Sequence, residues 1–498
     1  MTASPIDPTS AASADGPSLA TVERLPLRTK LAFGVGSAAE MIALYTVVTY
    51  AMLFYNQVLG VNPVWVGLAL SVSLVFDAIT EPLVGAWSDR TFSKKWGRRH
   101  GWMLVAPIPI AASFYCIFNP PDLSPLGLTI WCGVSVGVLR QVMTLFHTPH
   151  LALGGELSPH YTERSKVMAY NTFFQWVGGS ATAWIALTFY FPKTAEFHNG
   201  LLNPEPWPTF ALTGAIAIIV ILFTSAIFTM DRIPLLPKTA PGTPKFSGAE
   251  FLKDIGRALG NRSYVWLLVG YFFLSMMVGL REGLRLYVAS FYWQISSSDL
   301  RYFIIGSFIG YALSFFFAAK MHSRFDKKAT MIVSALAYAI IPAIPPTLGL
   351  MGVLRPDMPM LLPILIAFAA VSYMAVAFLT ISITSALADV ADENELKHGI
   401  RQEGILYSTR AFAGKLDQAV GSALAGAVVA FIAFPQKAKP GQVPDDVLFN
   451  LALWDGAISI VPGVLAAICY GRYRINHASY ALTRAALAER RALAAATL

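Results

Sequence analysis

Long apolar runs recur from one end of the chain to the other, separated by short polar segments. Their cores lie at 31–58, 62–86, 101–118, 126–150, 167–191, 209–230, 264–293, 300–319, 329–350, 360–386, 403–433 and 450–470. Each is near the ~20 residues that a helix needs to cross the hydrocarbon of a bilayer. No run alternates in the manner of barrel strands, and a helix satisfies its own backbone in lipid. The pattern predicts an all-α integral membrane protein with about twelve transmembrane helices.

Basic residues sort the polar segments into two kinds. Arg24, Arg28 and Lys30 precede the first run, Arg90, Lys94, Lys95, Arg98 and Arg99 follow the second, and Arg164 and Lys166 follow the fourth. Further groups follow the sixth run (Arg232 to Arg262), the eighth (Arg324, Lys327, Lys328) and the last (Arg472 to Arg491), whereas the opposite segments are nearly bare. The positive-inside rule then places both termini in the cytoplasm, as an even number of spans also requires. The longest polar connection, 231–262, divides the runs into two sets of six, and each set has a short basic loop after its second run. The expected organisation is a disordered cytoplasmic tail at 1–27, a six-helix bundle at 28–230, a cytoplasmic linker at 231–262, a second six-helix bundle at 263–471 and a cytoplasmic tail at 472–498. Within that tail, 478–495 reads either as a basic amphipathic helix on the inner leaflet or as a solvated tail. Two bundles about a central cavity is a plan that many secondary transporters share.

Composition narrows the class. Of 498 residues, 55% are hydrophobic and 13% charged, about half the usual charged share of about 25%, with mean hydropathy +0.55. That excludes both a disordered chain and an ordinary soluble globule. The net charge of +8 fits loops facing an anionic leaflet rather than nucleic acid. Cys116, Cys132 and Cys469 all lie in apolar runs, so neither a disulfide framework nor a metal site is expected. No HExxH or GxxxxGK[ST] motif occurs, which argues against a metal-dependent membrane-embedded enzyme and against nucleotide-driven transport. No cofactor is expected beyond a co-transported H+ or Na+.

A charged side chain inside a span costs about 2.5–3.5 kcal/mol or more, so it faces a cavity or a partner. Asp77 and Glu81 stand at i and i+4 in the second run, on one helix face, and offer a seat for a proton or small cation. Glu40 lies roughly 13 Å into the first run at 1.5 Å per residue. The fourth run holds Arg140, Gln141, His147 and His150; Arg140 and His147 share a face, and a histidine can exchange a proton near neutral pH. The alternative for these groups is plain helix packing, a protonated acid or a histidine bonded to a backbone carbonyl. Arg281, Glu282 and Arg285 form a cluster in the seventh run, a substrate clamp or an internally paired gate. In the eleventh, Arg410, Lys415 and Asp417 stand together, and Lys415, near the midplane, is expected to point at the acids of the first half.

Lys30 to Gly36, Asp77 to Pro82, Gly85 to Thr91 with Trp96 to Arg99, Glu156-Leu157 through Glu163-Arg164, and Ala388 to Asp392 through Arg401 to Gly404, Tyr407-Ser408 and Lys415 together resemble the glycoside–pentoside–hexuronide:cation symporters, the melibiose-permease branch of the major facilitator superfamily. The resemblance implies a fold of two six-helix bundles. It implies that Asp77 and Glu81 are the paired acids of the cation site and that Lys415 couples cation and sugar. It also implies that Asp89, Arg90, Arg98 and Arg99, with Asp389, Arg401 and Glu403 in the second half, belong to cytoplasmic gating loops. Departures are as informative. The fourth-helix aspartate of melibiose permease falls on His147, its nearby tryptophan on Leu151, its first-helix aspartate on Met41 beside Glu40, and its fifth-helix arginine on Thr172. Galactoside specificity therefore does not carry over.

These readings converge on a secondary active transporter that moves a glycoside or related sugar derivative with a cation by alternating access. Sodium prefers several hard oxygen ligands, so His147 in place of an acid favours the proton. The cation site is read as Asp77, Glu81 and His147. The substrate contacts are read as Glu40, Arg140, Thr172, Arg281, Arg285 and Lys415, whose arginines point to an anionic, uronide-like substrate. The expected partners are a small-molecule substrate and the lipid bilayer, and the expected location is a bacterial inner membrane, as a monomer. The rival readings are a carrier of amphipathic anions such as lysolipids and a non-transporting membrane sensor or scaffold.

Overall fold

A computed structural model describes residues 25–236 and 259–496, apart from 92, 94, 159, 325, 399–402 and 476, with 253 and 256 besides. The principal helices are α1 Leu27–Leu53, α2 Pro63–Arg90, α3 Pro107–Phe118, α4 Pro125–Glu156, α5 Tyr161–Ile185, α6 Pro206–Phe228, α7 Arg262–Tyr287, α8 Phe303–Arg324, α9 Lys327–Ile340, α10 Leu361–His398, α11 Glu403–Phe431, α12 Ile460–Gly471 and α13 His477–Ala496. Eight of the described helical segments are long and apolar enough to cross a membrane. Their outward faces carry exposed apolar side chains such as Val72, Leu126, Val220 and Val333, the surface that a lipid solvent requires.

Local chemistry sets several helix starts. Asn62 and Ser124 each precede a proline at the first helical position and accept from Val64 N and Gly127 N, so the cap satisfies one orphan donor and proline removes another. Asn261 caps α7 by accepting from Ser263 N and Tyr264 N. Prolines also interrupt two expected runs. The run 101–118 is His100–Val105 followed by α3, broken before Pro107. The run 329–350 is α9, a 3-10 turn at Ile341–Ala343 and a short helix Ile344–Leu350, because Pro342 has no N–H to continue the ladder. The tail at 472–498 contains α13, which packs on α10 and buries Leu487.

Helices α1–α6 pack chiefly on one another, as do α7–α12. The principal crossing between the two sets is α2 against α11. It is close because both helices present glycine: a Cβ on Gly426 would lie 2.4 Å from Pro63 O and one on Gly67 2.9 Å from Ser422 O. Ser71 Oγ donates across it to Ala419 O at 2.7 Å. Where α1 and α7 finish, the sets are joined by side chains: Tyr287 Oη donates to Asn56 Oδ1 at 2.8 Å, Gln57 Nε2 to Pro435 O at 3.1 Å and Asn199 Nδ2 to Ser290 Oγ at 2.5 Å. π-helical turns at Phe54–Val58, Ala186–Tyr190 and Val288–Tyr292 end α1, α5 and α7 there. At the opposite end the ion pairs Lys30–Glu163, Arg99–Glu156 and Lys327–Asp389 each stay within one set.

Filling the α2–α11 crossing is expected to force the sets apart. Gly426→Leu should lower the melting temperature in detergent by several degrees, in line with about 1–3 kcal/mol for overpacking. A Gly426→Leu protein that melts with the wild type would show that the crossing is looser than described.

Candidate functional site

A cavity of about 190 Å³ lies between the two sets. α1 contributes Glu40 and Leu44, α2 contributes Leu74, Asp77 and Glu81, α4 contributes Arg140, Met143, Thr144 and His147, and α11 contributes Lys415 and Gln418. Three residues of α2 and four of α4 fall on lines at helical spacing, so each helix turns one stripe inward that is polar apart from Leu74 and Met143.

Lys415 Nζ stands 2.7 Å from Asp77 Oδ2 and 2.8 Å from Glu81 Oε2. One ammonium of the second set thus occupies the seat between two carboxylates of the first. Thr144 Oγ1 donates to Asp77 Oδ1 at 2.7 Å, which fixes that carboxylate on its other oxygen. His147 Nδ1 lies 2.8 Å from Glu40 Oε1, an ion-pair contact rather than an aligned hydrogen bond. Arg140 is buried beside Asp77, with Nε unpartnered among the described residues. Thr80 Oγ1 donates to Gln141 Oε1 at 2.5 Å, tying α2 to α4 at the level of the acids. These charges matter energetically because the site is shielded. An exposed ion pair is worth about 0–1 kcal/mol, whereas removing one partner of a buried pair costs about 3–5 kcal/mol. Asp77 is 6% exposed and Lys415 25%, so the carboxylate belongs to the costly case and the ammonium keeps contact with water.

Of the residues read from the sequence as site groups, Asp77, Glu81, His147, Glu40, Arg140 and Lys415 line this cavity. Three do not. Thr172 is exposed and faces away from it, whereas the adjacent Asn171 turns inward and accepts from Ser37 Oγ. A shift of one residue turns a helix by 100°, which is enough to change the face. Arg281 is buried, and its guanidinium donates to Tyr338 O at 2.9 Å, Ala339 O at 2.7 Å and Ser459 Oγ at 3.0 Å. Pro342 has freed the Tyr338 carbonyl, and Arg281 supplies the missing donor, so it pins α9 and α12 rather than a ligand. Arg285 lies outside this cavity, paired with Glu282. His150, stacked on Phe33, is bonded to the Phe33 carbonyl. Asp417 points into the second set, buried with Oδ2 unpartnered among the described residues. Thr144 and Gln418 had no charge to mark them in the sequence.

Of the gating residues, Arg98 and Arg99 both reach Glu156, at 2.5 and 2.8 Å, and Arg99 Nη1 donates to Ser88 Oγ at 2.7 Å. Asp389 receives Lys327 at 2.7 Å. Asp89 and Arg90 lie on the last turn of α2 and Glu403 on the first of α11, but their side chains, like the whole of Arg401, are outside the described residues. Glu163, at the polar start of α5, is held by hydrogen bonds from Lys166 and Lys30 down at about 2.

The fold and this charged hollow define a multi-pass membrane transporter rather than an enzyme. The chain matches the MFS/sugar transport protein family over residues 32–477 and belongs to it. It is 26% identical to the "Inner membrane symporter YicJ" of Escherichia coli (strain K12), over 90% of each chain. It is 24% identical to the "Isoprimeverose transporter" of Lactiplantibacillus pentosus, over 81% of this chain and 80% of that one. The crystal structure of a D-xylose-proton symporter superposes with a TM-score of 0.59 at 16% identity, covering 90% of this chain and 98% of that chain, and shares the fold.

The Glu163 cluster has a pH signature. Its folded carboxylate titrates at about 2, below the ordinary value of 4.5. The stabilisation is therefore complete above 4.5 and lost as pH falls through about 2. Glu163→Gln should melt below the wild type at pH 7, and the gap should narrow at pH 3; a constant gap would show that Glu163 acts by packing alone.

Proposed function

We propose that this protein is a cation-coupled symporter of a glycoside or related sugar derivative, that the coupling ion is the proton, and that it works by alternating access. The observation that carries the reading is Lys415 seated between Asp77 and Glu81. A cation that neutralises the two acids removes the reason for Lys415 to remain there. Its release loosens the link between α2 and α11 and lets the sets rock about the bound substrate.

Charge balance supports the proton. Glu40, Asp77 and Glu81 face Arg140 and Lys415, and the third positive charge comes from His147 only when it is protonated. The cavity is neutral when it holds one exchangeable proton, carried by His147 at 2.8 Å from Glu40. Sodium finds a less suitable seat, since an ammonium stands where oxygen ligands would converge. The names of the relatives, an inner membrane symporter and an isoprimeverose transporter, support symport and a sugar cargo.

In this reading the protein has twelve spans, in two six-helix bundles at 28–230 and 263–471 joined by 231–262. The basic segments lie in the cytoplasm with both termini. The joined end then faces outward, and the form described is open toward the cytoplasm, which agrees with side-chain exposures of 25–28% for Lys415, His147 and Glu81. Arg98, Arg99 and Asp389 steady the cytoplasmic ends of the helices, and their partners exchange when that end closes.

Reconstituted protein tests the proposal. Under an inward proton gradient, wild type should accumulate a radiolabelled glycoside, and a protonophore should abolish the accumulation. Asp77→Asn should lose uphill accumulation at least tenfold while keeping exchange of preloaded substrate. Accumulation undiminished in Asp77→Asn would remove Asp77 from the coupling site. Uptake driven by sodium and indifferent to the proton gradient would replace the proton.

A further inference from the structure

Of the basic side chains that line the cavity, Lys415 and His147 each meet a carboxylate. Arg140 does not. It is 7% exposed, its Nε is shielded, and its guanidinium makes no hydrogen bond or ion pair among the described residues. A guanidinium is all donor, and a buried donor left unmet is costly. The place of Arg140 is set by α4. Arg140, Thr144 and His147 stand at i, i+4 and i+7, on the face that lines the cavity. Thr144 Oγ1, one turn on, lies 2.7 Å from Asp77 Oδ1 and 3.0 Å from the Arg140 carbonyl oxygen, so one hydroxyl ties this turn of α4 to Asp77. Arg140 and Asp77 both belong to the first set, whereas Lys415, which now holds Asp77 Oδ2, belongs to the second.

We propose that Arg140 is the second counter-ion of Asp77, and that this carboxylate passes from Lys415 to Arg140 when the two sets rock. Arg140 is then a positioning residue that acts on transport through Asp77. The inference rests on the carrier reading and specifies how its charges are exchanged. Removing one partner of a buried pair leaves a bare charge, which is the expensive outcome. Lys415 travels with α11, so a movement that withdraws it puts that cost on Asp77. A guanidinium that stays in the same set as Asp77 removes the cost, and its planar fork suits a carboxylate. Asp77 Oδ1 is held by Thr144, so Oδ2, which Lys415 vacates, is the oxygen left for Arg140. Glu81 has no such substitute, because its ion pair among the described residues is with Lys415 alone. Glu81 is therefore the acid that the incoming cation must neutralise. One proton suffices. With Glu81 protonated and His147 neutral, Glu40 and Asp77 balance Arg140 and Lys415, and the cavity keeps zero net charge as Lys415 leaves.

Purified protein with glutamine at Arg140, Glu81 and Lys415, singly and in pairs, tests this in two measurements. The first is the melting temperature. Arg140→Gln should melt with the wild type or above it, because it removes an unmet charge. In the Lys415→Gln background the same change should lower the melting temperature by several degrees, because Asp77 then has no cation; contacts that do not communicate would simply add. The second is the distance between spin labels in nanodiscs, placed by Arg164→Cys and Ala329→Cys with the three native cysteines replaced by alanine. Both positions are exposed and lie at the end where the ion pairs stay within each set. Glu81→Gln should enrich the shorter distance at least threefold. Adding Arg140→Gln should cancel that shift, and Arg140→Lys should preserve it. A loss of melting temperature as large in the wild-type background as in Lys415→Gln, or a Glu81→Gln shift that survives Arg140→Gln, overturns the exchange and leaves the carrier standing. So does an Arg140→Gln protein that binds glycoside more weakly while every distance stays unchanged, which would make Arg140 a substrate contact. A wild type with a single label distance, indifferent to glycoside and to pH, overturns the carrier reading itself.

Discussion

An ammonium held between apolar helices must have a counter-charge within reach, and in this protein the counter-charge belongs to the other set of helices. Lys415 on α11 is compensated by Asp77 and Glu81 on α2. The cost of an uncompensated buried carboxylate makes this one contact decide how the two sets sit. Everything near it serves the same balance. Thr144 holds the second oxygen of Asp77, Arg140 lies behind it, and His147 with Glu40 forms a neighbouring pair.

The rest of the architecture keeps that contact adjustable. The α2–α11 crossing is built on glycines with backbone near backbone, so the helices approach closely without interlocking large side chains. At one end, hydrogen bonds between neutral groups such as Tyr287–Asn56 and Asn199–Ser290 join the sets. At the other, charged residues pair within each set. Neutral hydrogen bonds contribute modestly each, and a row of them can separate stepwise. π turns at the joined ends of α1, α5 and α7 place local irregularity where a helix end would have to adjust.

Much of the helical pattern was legible because lipid imposes it: a run of about twenty apolar residues has few alternatives. Caps such as Asn62-Pro63 and Ser124-Pro125 are equally local, but the hydropathy pattern does not mark them. Hydropathy averaged over the breaks before Pro107 and at Pro342, since proline there changes backbone bonding and not apolar character. The polar lining of the cavity was legible where it was charged. Asp77 and Glu81 announced a shared face by their spacing, and the charge of Lys415 in an apolar run demanded a partner. Thr144 and Gln418 were silent because neutral polar residues are common in spans.

The amino-acid sequence by itself determined that the chain crosses a membrane repeatedly, and which ionisable groups it carries into the apolar layer, because both follow from transfer free energies of short segments. Only the tertiary structure decided where those groups point. Arg281 and Arg285 are one turn apart on the same helix, yet one is consumed by the carbonyls of α9 and the other pairs with Glu282. Thr172 and Asn171 are neighbours in the chain, yet one is exposed and the other buried. Direction depends on helix rotation and on which partner lies opposite, and those are set by packing between segments hundreds of residues apart, such as Asp77 and Lys415.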